Sequence, residues 1–170
     1  MMMIESERFG RIEVLEEEII NFPSGVVGFP DEKAFVLVRN GRSGLIGWMQ
    51  SVTTPDFAFP VVSAHGFGEQ YPDVEMDAPA QAAGVWNQGA ELAVLAVLSA
   101  PRRGPATVNL MAPIVVNAAT RMGAQVMLEG TRFSTRELYV IPRTAERETE
   151  PAPPPSSDSD VLENAAVPAE

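Results

Sequence analysis

Apolar and polar positions alternate through most of the first 141 residues, and that period predicts strands. In ATVNLMAPIVVN, residues 106–117, one side collects Val108, Leu110, Ala112, Ile114 and Val116. The other collects Thr107, Asn109, Met111, Pro113, Val115 and Asn117. Successive side chains of a strand point to opposite faces, so this segment has one dry face and one mixed face. Pro113 has no N–H for a ladder bond, which puts it at an edge or a bulge. The same period predicts strands over 11–14 (RIEV), 18–22 (EIINF), 34–38 (AFVLV), 45–52 (LIGWMQSV), 57–63 (FAFPVVS), 124–129 (AQVMLE) and 137–141 (ELYVI).

Turn chemistry separates these runs. PSG at 23–25 and TTPD at 53–56 are turn signals, and NGRSG at 40–44 is a Gly-rich hairpin signal. LAVLAVLS, residues 92–99, is apolar on both faces, as a central strand is; periodicity alone also allows a buried helix. One helix is predicted where Asp77 caps APAQAAGVW with Pro79 in its first turn, although Gly84 weakens it. Many short strands and few helices, without a repeat period, predict a single mainly β domain, an antiparallel barrel or sandwich over residues 1–141.

Composition changes at Pro142. PRTAERETEPAPPPSSDSDVLENAAVPAE, residues 142–170, holds seven acids against Arg143 and Arg147, a net charge of -5. With almost no large apolar residue it cannot offset ordering entropy, so a disordered Pro-rich acidic tail is expected. The whole chain of 170 residues carries -11, which leaves -6 on the body. Such a surface repels nucleic-acid phosphates and anionic membranes and attracts a basic protein. The chain has no cysteine, which removes thiolate chemistry and disulfides. The N-terminal MMMIESERFG has no apolar signal core, and the apolar run 92–98 is far short of the ~20 residues of a membrane span, so the cytoplasm is expected.

Catalysis does not emerge. The sole histidine, His65 in SAHGFGEQ, is read as a solvated loop residue, because no nucleophile elbow or orienting third group accompanies it and Ser63. GFGEQY, residues 66–71, lacks dinucleotide-binding spacing, and Lys33, the one lysine, sits in no phosphate loop. Neither a catalytic residue, a cofactor nor a metal is expected. YPDVEMDAP, residues 71–79, is different: Asp73, Glu75 and Asp77 share one side of an extended segment and form an acidic stripe suited to arginine or lysine on a partner.

Three segments in order resemble the flagellar assembly factor family, FliW. They are FGRIEVLEEEIINFPSGVVGF (9–29), GWMQSVTTPDFAF (47–59) and ATVNLMAPIVVNAATRMGAQVML (106–128). Order and spacing hold from about residue 3 to 138, with Met49 in place of the family's usual leucine and SAHG at 63–66 in place of its Asp-Pro. The resemblance implies a small antiparallel β-barrel-like domain without enzymatic activity. It implies two partners: the carbon storage regulator CsrA, a basic RNA-binding dimer, and flagellin, which competes for the same protein. Asp73, Glu75 and Asp77 are then expected to meet CsrA. Thr107, Asn109 and Asn117 are expected either to satisfy neighbouring loop backbone or to line a protein-binding surface. Two alternatives stand beside this: a flagellin chaperone with an apolar groove near Met49, Phe57 and Phe59, and a small-molecule-binding barrel. The protein alone is expected to be monomeric.

Overall fold

The computed structural model describes residues 1–39, 43–64, 67, 77–89, 91–128, 132–143 and 149. Ten strands follow in chain order: β1 (Met2–Ser6), β2 (Gly10–Val14), β3 (Ile20–Asn21), β4 (Ala34–Val38), β5 (Ile46–Ser51), β6 (Ala58–Ser63), β7 (Leu92–Ser99), β8 (Thr107–Asn117), β9 (Gly123–Gln125) and β10 (Glu137–Leu138). One helix, α1 (Asp77–Ala82), lies between β6 and β7. The large sheet runs β10-β8-β7-β6-β5-β4-β3, with β9 also on β8. An Asn21–Met122 bridge, in which Asn21 N donates to Arg121 O at 2.8 Å, brings β3 beside the start of β9. The sheet therefore nearly closes on itself. The fold is the mainly β, barrel-like domain that the alternating pattern predicts.

Several local expectations are corrected. β1 has no counterpart among the predicted strands: three methionines precede Ile4, and with apolar residues on both faces the alternation is hidden. Only Ile4 and Ser6 of β1 turn inward, where Ile4 packs with Val14 and Val36. The expected strand 18–22 shrinks to two residues, because Glu16–Glu18 form a solvated 3-10 turn whose Glu18 carboxylate accepts from Leu15 N at 2.9 Å. The helix ends at Ala82: Gly84 adopts φ +77° and its N–H closes the turn on Gln81 O at 3.0 Å, a left-handed stop. The strands expected at 124–129 and 137–141 keep only the lengths of β9 and β10. Pro60 stands inside β6 opposite Trp48, and pairing with β7 begins one residue later, at Val61. Asp73, Glu75, His65, the hairpin tip at 40–42 and almost all of the acidic tail lie outside the described residues.

The core has two main parts. One gathers Trp48, Val62, Ala80, Val85, Leu98, Val108, Leu110 and Val115. The other gathers Phe22, Phe35, Met49, Val61, Ile114 and Val116. A buried polar lock joins the β1–β2 hairpin to the barrel: Ser6 Oγ donates to Gln50 Oε1 at 2.7 Å, and Gln50 Nε2 donates to Ser51 O at 3.1 Å. Gln50 is fully buried, so the lock fixes the register at which the hairpin docks.

Candidate interaction surface

β8 is the most informative element. It is flanked by β7 on one side and by β9 and β10 on the other, so its proline does not protect an open edge. Pro113 lies in a bulge instead. Leu95 pairs with Ile114 and Val97 with Asn109, so two steps along β7 face five along β8, and residues 110–113 are extruded. Each extruded polar group recorded finds a partner outside the ladder. Leu110 N and Met111 N donate to Ser134 O at 3.1 and 3.2 Å. Met111 O and Pro113 O accept from Leu128 N and Val126 N at 2.8 and 3.0 Å. Ala112 N donates to Asn109 Oδ1 at 2.9 Å, and Ala112 O accepts from Gln125 Nε2 at 3.0 Å. Proline has no N–H to satisfy, which suits it to this site.

This arrangement accounts for the alternating asparagines. Asn109 supplies the acceptor that the bulged Ala112 lacks. Asn117, 1% exposed, donates to Val85 O at 2.9 Å and Asn87 Oδ1 at 3.1 Å, and accepts from Ala119 N and Thr120 N at 3.1 and 3.2 Å. It ties the segment after α1 to the end of β8 and closes the turn toward β9. Both asparagines bond neighbouring backbone here, the first of the two roles open to them; Asn109 is half-buried and Asn117 buried. Burial removes Asn117 from any surface. Thr107, half-buried, opens β8 opposite Ser99 and Leu138. Asp77 is the first residue of α1, the helix that precedes the Asn117 anchor; the other two acids expected in the stripe lie outside the described residues.

The bulge also positions a surface that the sequence reading did not single out. Gln125 reaches from Ala112 O to Val27, whose N–H donates to Gln125 Oε1 at 2.9 Å. Val27 belongs to a tight turn closed by reciprocal bonds between Val26 and Phe29: Val26 N donates to Phe29 O at 3.2 Å and Phe29 N to Val26 O at 2.8 Å. Gly25 makes the turn possible. It sits at φ +67°, and a Cβ there would lie 2.5 Å from Phe29 O, closer than such atoms approach. The held turn turns outward, leaving Val27 59% and Phe29 51% exposed.

Phe29 does not stand alone. Its ring meets Phe57 at 4.6 Å and 65°, Phe57 meets Phe59 at 6.0 Å and Phe35 at 5.9 Å, and buried Phe35 meets Phe22 at 5.3 Å. A chain of edge-to-face and tilted aromatic contacts thus runs from the core to water. Met49, one of the residues considered for an apolar groove, is fully buried and belongs to the core; Phe57 and Phe59 are half-buried. The sequence signal was available: a pair of glycines and a proline bracket the apolar Val26, Val27 and Phe29, marking a turn instead of a core strand. On the far side, the Arg8 guanidinium lies 3.5 Å from the centroid of Trp48, and its partial burial lowers its pKa from the usual arginine value. Among the described residues no group of three His, Cys, Asp or Glu side chains could hold a metal ion. No helix among them is long and apolar enough to cross a membrane.

The nearly closed, mainly antiparallel barrel matches the fold of a solved flagellar assembly factor. The crystal structure of the flagellar assembly factor FliW superposes with a TM-score of 0.71 at 29% identity, covering 80% of this chain and 95% of that one. Its family model, described as FliW protein, matches residues 3–139. The flagellar assembly factor FliW of Heliobacterium modesticaldum is 36% identical over 144 residues, 81% of this chain and 91% of the relative. That of Desulfitobacterium hafniense is 37% identical over 135 residues, 79% and 89% of the two chains. The chain belongs to the FliW family of flagellar assembly factors.

Proposed function

We propose that this chain is a non-catalytic cytoplasmic protein that antagonises the translational regulator CsrA and also binds flagellin, so that the two compete for it. The exposed, rigidly held apolar turn carries this reading. Val27 and Phe29 are not needed to fill the core, and a turn fixed by Gly25 and Gln125 loses little entropy when a partner covers it. A surface of this kind suits an apolar helical end of flagellin. The basic CsrA dimer calls for another surface, and we assign it the acidic Asp73, Glu75 and Asp77 and, as a polar contact, Thr107. Competition then follows from overlap or from coupling through α1 and β8.

The test is titration calorimetry against CsrA and against flagellin, each at low and moderate salt. CsrA binding should be tight and weaken with salt, and flagellin binding should be nearly salt-independent. Reversing Asp73, Glu75 and Asp77 to lysine should weaken CsrA binding and flatten its salt dependence. An unchanged affinity overturns the stripe. Binding to flagellin alone would favour a second reading, a flagellin chaperone, to which the apolar turn also lends itself.

A further inference from the structure

Charge is unevenly distributed along this acidic chain. Residues 1–91 carry five cations against fourteen acids, net -9. Residues 92–143 carry Arg102, Arg103, Arg121, Arg132, Arg136 and Arg143 against Glu129 and Glu137, net +4. Residues 144–170 carry Arg147 against seven acids, net -6. The fold gathers most of the basic part at one end. Arg102 and Arg103 lie in the connection between β7 and β8, Arg136 directly precedes β10, and Arg143 follows it. Tyr139 N donates to Ala106 O at 3.0 Å, so the chain leaves β10 alongside the connection that holds Arg102 and Arg103. All four arginines are exposed, and among the described residues none has a salt-bridge partner; the bridge recorded is Arg11–Glu5.

The same place has an uncovered sheet edge. β10 pairs with β8 and ends the strand order on that side. Leu138 is 75% and Val140 89% exposed there, an apolar edge flanked by arginine. β10 is only two residues long, which itself limits edge pairing, but Leu138 and Val140 leave apolar surface there that Pro113, internal to the sheet, does not cover. The chain beyond the family match at residue 139 offers the complement. Asp158, Asp160 and Glu163 surround Val161 and Leu162, acids and aliphatics in one short run.

We propose that residues 158–163 of the chain's own C-terminal segment dock in cis over Leu138 and Val140, with their acids facing Arg102, Arg103, Arg136 and Arg143. Separate exposed ion pairs contribute little, so several acting together with the covered leucine and valine are required. Tethering supplies the rest. Fourteen residues, four of them proline, separate Arg143 from Asp158; even fully extended at about 3.1 Å per residue they keep the segment within about 45 Å of its anchor and its effective concentration near the millimolar range. The docked segment covers the sheet edge and hides the basic end, so the molecule presents acid to a basic partner and gives a polyanion nowhere to bind.

The absence of cysteine makes the test direct. A nitroxide attached to full-length Ser159→Cys protein should broaden the amide signals of residues 102–104 and 136–143 at 0.01 M salt, where the Debye length is about 30 Å, and much less at 0.15 M, where it is about 8 Å. Arg102→Glu/Arg103→Glu should abolish the broadening. So should Asp158→Asn/Asp160→Asn/Glu163→Gln, which leaves the barrel untouched. Absence of broadening at low salt, or broadening centred elsewhere, overturns the proposal. Broadening seen only between a labelled copy and a second, isotopically marked copy overturns it too, in favour of docking in trans.

Discussion

The β8 bulge and the turn at residues 26–29 invert the usual relation between polarity and exposure. The bulge region is rich in polar atoms and largely buried; Asn109 supplies the acceptor that bulged Ala112 N lacks, and Asn117 satisfies loop and turn backbone at Val85 and Ala119. The turn is apolar and faces water, with its backbone closed on itself and on Gln125. A buried polar side chain or an exposed apolar one is the informative observation, and here β8 carries the first in Asn117 while the turn carries the second in Val27 and Phe29. Gln125 joins them: without the extruded Ala112 carbonyl, the glutamine loses the contact that aims it at Val27.

Asn117→Ala should have the largest effect on stability. It leaves Val85 O without that partner in a buried site and removes the acceptor for Ala119 N and Thr120 N at the exposed turn, at a cost of about 3 kcal/mol, read as a lowered urea midpoint with an unchanged slope. Gly25→Ala should follow at about 2 kcal/mol, because a left-handed φ and a backbone clash coincide, and it should also displace the Val27 amide signal. Asn109→Ala should cost about 1 kcal/mol and accelerate hydrogen exchange at Ala112 before any other bulge amide. Phe29→Ala should cost about 1 kcal/mol, since half of the side chain is already in water and one aromatic contact is lost, and lower the thermal midpoint by only a few degrees. A cost at Phe29 as large as that at Asn117 would erase the distinction between the two regions.

Most of the fold was legible because its strands are half-buried and alternate. β2, β4, β5, β6 and β8 fall where the pattern puts them, and β7 takes the strand form of the two that its run left open. β1 escaped because methionine fills both faces, and β9 and β10 came out short because apolar residues continue past the last ladder pair. The proline of β8 was legible as an anomaly, but one sequence does not choose between edge and bulge; pairing with Ile114 and Asn109 does. The apolar turn was harder to see, because valine and phenylalanine read as core unless glycine-enforced geometry turns them out. Asn117 reads from sequence as a polar strand position open to two roles, and only its four bonds show it to be a buried anchor.

The most direct measurement is calorimetric titration of folded Phe29→Ala protein with flagellin and with CsrA, beside the unmodified chain. Loss of flagellin affinity by about tenfold or more, with CsrA affinity retained, is the predicted result. Unchanged flagellin affinity would contradict the role given to the exposed turn, and equal loss toward both partners would contradict its separation from the acidic stripe.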